Sequence, residues 1–163
     1  MSSKKKNNIT KNQVQKALKI IPHPKAVNPS RTKTGKVPQG RTIITNDNYL
    51  ADGKRTGSTA EHPAIVIEAN EKNELVIVPT SSQACKNRTR LPNYQQGQTY
   101  YKHFIEIEDD EGNPIMINEK FRENHPNMDV SSKDVAEIVD KVLNHSKPSS
   151  DNRNKLDKFR KRK

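Results

Sequence analysis

The residues of this chain that could take part in chemistry gather at the two ends of one apolar hairpin. His62 stands just before residues 64–67, Ala-Ile-Val-Ile, and Thr80, Ser81 and Ser82 follow residues 75–78, Leu-Val-Ile-Val. A histidine changes charge near neutral pH and can give or take a proton there. The three hydroxyls come directly after Pro79, which ends or bends a strand because it cannot donate to a ladder. That puts them at the rim. Upstream, residues 50–61 carry Lys54 and Arg55 among two glycines and several small hydroxyl residues, a composition that can approach a phosphate closely. Downstream, Lys86, Arg88 and Arg90 fall close together, and Lys102 lies in an alternating run.

Each of these residues also has a plainer role. His62 can be a strand-entry residue capping the rim, and the Thr80 hydroxyl can satisfy backbone groups where a strand ends. Ser81 and Ser82 read the same way. His103 alternates onto the side of Tyr101 and Ile105 and reads as a partly buried packing residue. The single cysteine, Cys85, sits among polar residues with no motif around it, so it reads as an incidental thiol. One cysteine also excludes an internal disulfide and a cysteine-based zinc site. The scattered histidines lack metal-ligand spacing, so neither a metal nor a cofactor is expected.

These residues need a scaffold, and the composition limits its size. Of 163 residues only 29% are hydrophobic and 4% aromatic, which predicts an ordered domain of about 100 residues with loose ends. The formal charge of +11 favours an anionic partner, nucleic acid first and an acidic protein second. The opening residues are cationic with no apolar run after them, which is unlike a secretory signal. No run approaches the length of a membrane span. A cytoplasmic setting, with no membrane partner, is the default for a chain with one cysteine.

Along the chain, Thr10-Lys-Asn-Gln13 predicts a capped helix with Val14, Ala17, Leu18 and Ile21 on one stripe, stopped by Pro22. Residues 1–37 thus read as a basic N-terminal segment with a short helix and a linker. Residues 41–45 form a short strand, the hairpin follows, and residues 100–108 alternate as a half-buried strand. Residues 109–113 turn back into a strand at 114–117, and Phe121 ends the barrel. Ser131-Ser-Lys-Asp134 caps a second helix with Val135, Ile138, Val139, Val142 and Leu143 on its apolar face. Residues 38–145 make up the domain, and residues 146–163 read as a disordered basic tail.

In order and spacing, His62-Pro-Ala-Ile-Val66, Val76-Ile-Val-Pro-Thr-Ser81 and Val130-Ser-Ser-Lys-Asp134 resemble the PemK/MazF-like toxin family over roughly residues 38 to 144. The resemblance implies an α+β fold built as a small SH3-like β-barrel closed by a C-terminal helix. It also implies a homodimer, a small acidic antitoxin as partner, and cleavage of single-stranded RNA without metal. A ribose 2′-OH attacks the adjacent phosphorus, so a base, an acid and a stabiliser of the phosphorane charge are needed. The family uses an Arg before the Pro and a Thr or Ser at the second strand end. Thr80 matches, whereas His62 stands where the Arg would be. The resemblance therefore makes His62 and Thr80 the catalytic pair, with Lys54, Arg55, Ser81, Ser82, Arg88, Arg90 and Lys102 as substrate-binding residues. The alternative is a degenerate site that binds nucleic acid or a protein without cutting.

Overall fold

A computed structural model describes residues 36–92, 98–145 and 149–162. The helix expected at residues 10–21 lies outside the described residues. At the centre are β1 (Thr42–Asn46), β2 (Glu61–Ala69) and β3 (Leu75–Ser81), all antiparallel. Asn70 builds the turn between β2 and β3, its side-chain oxygen accepting from the amides of Lys72 and Glu74. Asn73 adopts a φ of 59° beside it, a conformation that Asn tolerates better than most residues.

Pairing sets Ile65 opposite Val78 and Val66 opposite Ile77. Every residue of β3 is buried, as the continuous apolar run predicts for a strand covered on both faces. One face holds Ile65, Val76, Val78 and Tyr101; the other holds Ile43, Ala64, Val66, Leu75 and Ile77. On the first face packs α2 (Ser132–Asn144) through Val135, Ile138 and Val142. Ser131 caps that helix, accepting from the Asp134 amide at 3.2 Å, as its sequence predicts. The second face is closed by Val37, Leu50, Ile115 and Phe121.

Two outer strands complete one side, β4 (Arg88–Arg90) and β5 (Tyr100–Lys102), and β6 (Arg122–Glu123) completes the other. The order is β4-β5-β3-β2-β1-β6. This is a mixed α+β fold on an antiparallel sheet, and among the described residues the sheet is open rather than closed as a barrel. The strand expected over residues 100–108 ends at Lys102. Beyond it the chain regains single bridges, Ile77 to Glu106 and Glu108 to Pro114. The returning run at 114–117 likewise makes isolated bridges, because residues 109–113 close a tight turn around the Asp109 carboxylate.

The expected disordered tail is corrected by a helix, α3 (Ser149–Arg160). Its composition is strongly polar, yet Asn152, Leu156 and Phe159 fall on one stripe at i, i+4 and i+7, and all three are buried. Asn152 is fully buried and uses both ends of its amide. Nδ2 donates to the His103 carbonyl at 3.0 Å and to the Val142 carbonyl at 3.1 Å, and Oδ1 accepts from the Ile105 amide at 3.1 Å. Outside this stripe, Arg160 grips both oxygens of Glu68.

Truncating Asn152 leaves three backbone groups without that partner in a buried contact. Asn152→Ala is expected to lower stability by about 3 kcal/mol in chemical denaturation. Arg160→Gln, which breaks only an exposed ion pair, is expected to cost less than about 1 kcal/mol. Equal losses for the two variants would contradict this account of how α3 is held.

Candidate functional site

Side chains alternate along a strand, so the register decides which candidates share a face. Thr45 pairs with His62, and Ala64 pairs with Pro79. Continuing the second register two residues sets Ser81 opposite His62. Ser81 pairs with Tyr100, and Lys102 pairs with Arg88. His62, Ser81, Lys102, Arg88 and Arg90 therefore stand on one face, past the end of the apolar cluster. Thr80, one residue out of step, stands on the other.

The hydrogen bonds agree. Thr80 is 1% exposed, and its hydroxyl donates to the Pro63 carbonyl across the hairpin. Of its two roles, that is the backbone-satisfying one. Ser81 accepts instead from Arg88 at 3.0 Å, and Arg88 also donates to the Gln83 carbonyl at 2.9 Å. Ser82 is exposed in the bend after β3.

The loop between β1 and β2 folds over this face. After a 3-10 turn at Asp47–Tyr49 it forms α1 (Ala51–Thr56), which ends at Gly57 with a φ of 76°. Asp47 follows β1 and still pairs, its amide donating to the Ala60 carbonyl at 2.9 Å. Its carboxylate meets His62 Nδ1 at 2.9 Å and accepts from the Ser58 hydroxyl at 2.8 Å. Burial works against the charge on Asp47, but the hydrogen bonds from His62 and Ser58, with the charges of His62 and Lys102, hold its carboxyl below the usual value. An ionised carboxylate only accepts, so Nδ1 of His62 carries the proton and Nε2 is the basic nitrogen. The His62 side chain is 21% exposed.

A second cluster lies beside the first. Lys102, only 7% exposed, donates to Asp52 Oδ2 at 2.8 Å, and Arg55 binds the other oxygen of Asp52. Burial opposes the Asp52 charge, and these two cations overcome it, so its carboxyl is also held low. The Asp52 amide donates to Glu106 at 3.1 Å. Burial dominates at Glu106 and pushes its carboxyl upward.

The candidate cations thus divide into two classes. Lys54 pairs with Asp110 at 3.1 Å, and Arg55 and Lys102 pair with Asp52. Among the described residues, no ion pair engages Lys86, Arg88 or Arg90. Of the candidate cations, those without an ion pair are therefore the ones of β4 and its approach. Over the whole chain, nine of the 30 Lys+Arg and none of the 19 Asp+Glu precede residue 36. The remaining residues carry 21 against 19, so the excess charge belongs almost entirely to the N-terminal segment.

Sequence reading missed Asp47, Asp52, Ser58 and Glu106. A signal for Asp47 existed: it lies two residues after Thr45, which pairs with His62, so strand alternation directs it to the same face. The other three depend on how α1 folds back. Among the described residues, no group of three or more His, Cys, Asp or Glu is placed to hold a metal ion, and Cys85 is exposed. Neither a protein-family model nor a curated protein matches the chain.

Gly53 controls the seating of α1, since a Cβ there would lie 2.0 Å from the Asp47 carbonyl oxygen. Gly53→Ala is expected to cost roughly 1–3 kcal/mol and to erase the NMR signature of the His62 Nδ1 proton. Gly57→Ala meets nothing within 4 Å, so although its φ of 76° strains an alanine by about 1 kcal/mol, it should keep that signature.

Stability against pH carries two opposite signs. Asp47, held low, contributes stability above its unfolded value of 3.8 and loses it as pH falls through the folded one. Glu106, pushed up, contributes most below 4.5 and loses that contribution as pH rises through its folded value. Denaturation at pH 3 to 7 should show a shallower acid loss for Asp47→Asn than for the parent. Glu106→Gln should remove the decline on the neutral side.

Proposed function

We propose that this protein is a metal-independent endoribonuclease of PemK/MazF-like toxin type, cleaving single-stranded RNA at the face that carries His62. The observation that carries the reading is the clamp of Asp47 on His62 Nδ1, which leaves Nε2 as the base on the sheet face that also carries Ser81 and Arg88. Nε2 takes the proton of a ribose 2′-OH, and the 2′-oxygen attacks the adjacent phosphorus. Arg88, already bonded to Ser81, supplies charge to the phosphorane oxygens, where preorganised donors act most strongly. The bond to the 5′-oxygen breaks, and the imidazolium proton returns to that oxygen. The products are a 2′,3′-cyclic phosphate and a 5′-hydroxyl.

This assignment moves the hydroxyl role from Thr80 to Ser81. It also moves phosphate contact from Lys54, Arg55 and Lys102 to Arg88 and Arg90. We take the open sheet as a variant of the family's SH3-like fold. The resemblance brings with it a small acidic antitoxin, a homodimer and a cytoplasmic site of action. Among the described residues, no helix is long and apolar enough to cross a membrane.

A second reading, nucleic-acid binding without cleavage, is favoured by the charge distribution. With the excess cations in residues 1–35, affinity would come mainly from that segment and fall steeply with salt as phosphates release counterions.

Purified full-length chain incubated with single-stranded RNA in EDTA separates the two. Cleavage is expected, with His62→Ala slower by about 100-fold or more, the usual loss on removing a general base. Thr80→Val is expected to cut at close to the parental rate. If the parent leaves varied RNAs intact yet binds them, and deletion of residues 1–35 abolishes the binding, the second reading replaces the first.

A further inference from the structure

The chain between Lys102 and Glu106 has an unusual support. Lys102 is the last residue of β5 paired in the sheet, and pairing resumes only at Glu106, opposite Ile77. In the interval, α3 takes the place of a neighbouring strand. Asn152 accepts from the Ile105 amide and donates to the His103 carbonyl, and the Lys155 ammonium donates to the Ile105 carbonyl at 3.1 Å. The two ends of this interval meet again on the far side of the sheet. Lys102 holds the Asp52 carboxylate and Glu106 holds the Asp52 amide. Through Asp52 they hold α1, whose Gly53 packs on the backbone of Asp47, the partner of His62.

We infer that α3 is a positioning element for the site, and that Asn152 and Lys155 are positioning residues that set Lys102 and Glu106 against Asp52. Neither touches the face of His62. They act by holding residues 103–105 in the one path that brings both flanking side chains to the same aspartate. This rests on the functional reading above only in assigning Asp52 and α1 to the site.

The test uses the full chain and needs no RNA. Amine acetylation read by peptide mass spectrometry reports the exposure of Lys102, and hydrogen exchange reports the Asp52 amide. Lys155→Met keeps the apolar stem of a partly exposed side chain and removes its bond to Ile105, together with its ion pair to Asp151 and its charge near Glu106, which Asn152→Asp leaves in place. It is expected to speed both readouts by about fivefold, the change given by one net hydrogen bond. Asn152→Asp, which cannot donate to the His103 carbonyl, is expected to do the same or more. Arg160→Gln loosens the same helix at Glu68, away from residues 103–105, and is expected to leave both readouts at parental values. The inference is overturned if Lys102 stays protected in Lys155→Met, or if Arg160→Gln moves both readouts as far. Should Asn152→Asp fail to fold, Lys155→Met and Arg160→Gln decide the matter between them. A chain that cuts no RNA leaves these results standing, and unchanged protection of Lys102 leaves the RNA reading standing.

Discussion

β3 is buried along its whole length and on both faces, and that double burial constrains everything around it. A strand with two apolar faces needs two covers, and each buried apolar side chain contributes about 1.5–3 kcal/mol once it leaves water. One cover is α2 with the stripe of α3. The other is assembled from Val37, Leu50, Ile115 and Phe121, which come from irregular segments. Only part of the second face can be filled that way. Where the apolar residues stop, the loop between β1 and β2 folds down with its polar residues, and the candidate site is formed there.

The site's electrostatics follow from its position at that margin. Lys102 and Glu106 are drawn under the loop with little exposure, and a buried charge is tolerated only when paired and hydrogen-bonded. Asp52 meets both needs, giving its carboxylate to Lys102 and its amide to Glu106. Asp47 gives its carboxylate to Nδ1 of His62. The pairing that makes the loop stable also neutralises Arg55 and Lys102, so among the candidate cations those without an ion pair lie on the edge strand β4 and its approach.

Much of the framework was legible in the chain. The two continuous apolar runs indicated a doubly covered hairpin, and Ser131 with Asp134 indicated the start of α2. His62 was singled out by its place beside Pro63 at a strand entry. The tail was misread because average composition hides a stripe of three residues. In Asn152, Leu156 and Phe159 that stripe has one polar member, whose amide is satisfied only by carbonyls and an amide of other segments. The strand at residues 100–108 was overextended because alternation predicts pairing without saying which partner supplies it. Past Lys102 the partner is a helix.

Sequence by itself determined the α+β class, the central hairpin, the capped helix and the residue types at the hairpin ends, because periodicity and capping are local properties. Tertiary structure alone decided which of those residues meet. A shift of one residue in register sends a side chain to the opposite face, and that single step places Thr80 away from His62 and brings in Ser81. The partners of His62 and Lys102 come from a loop whose path is set by what it must cover, and no local pattern encodes that.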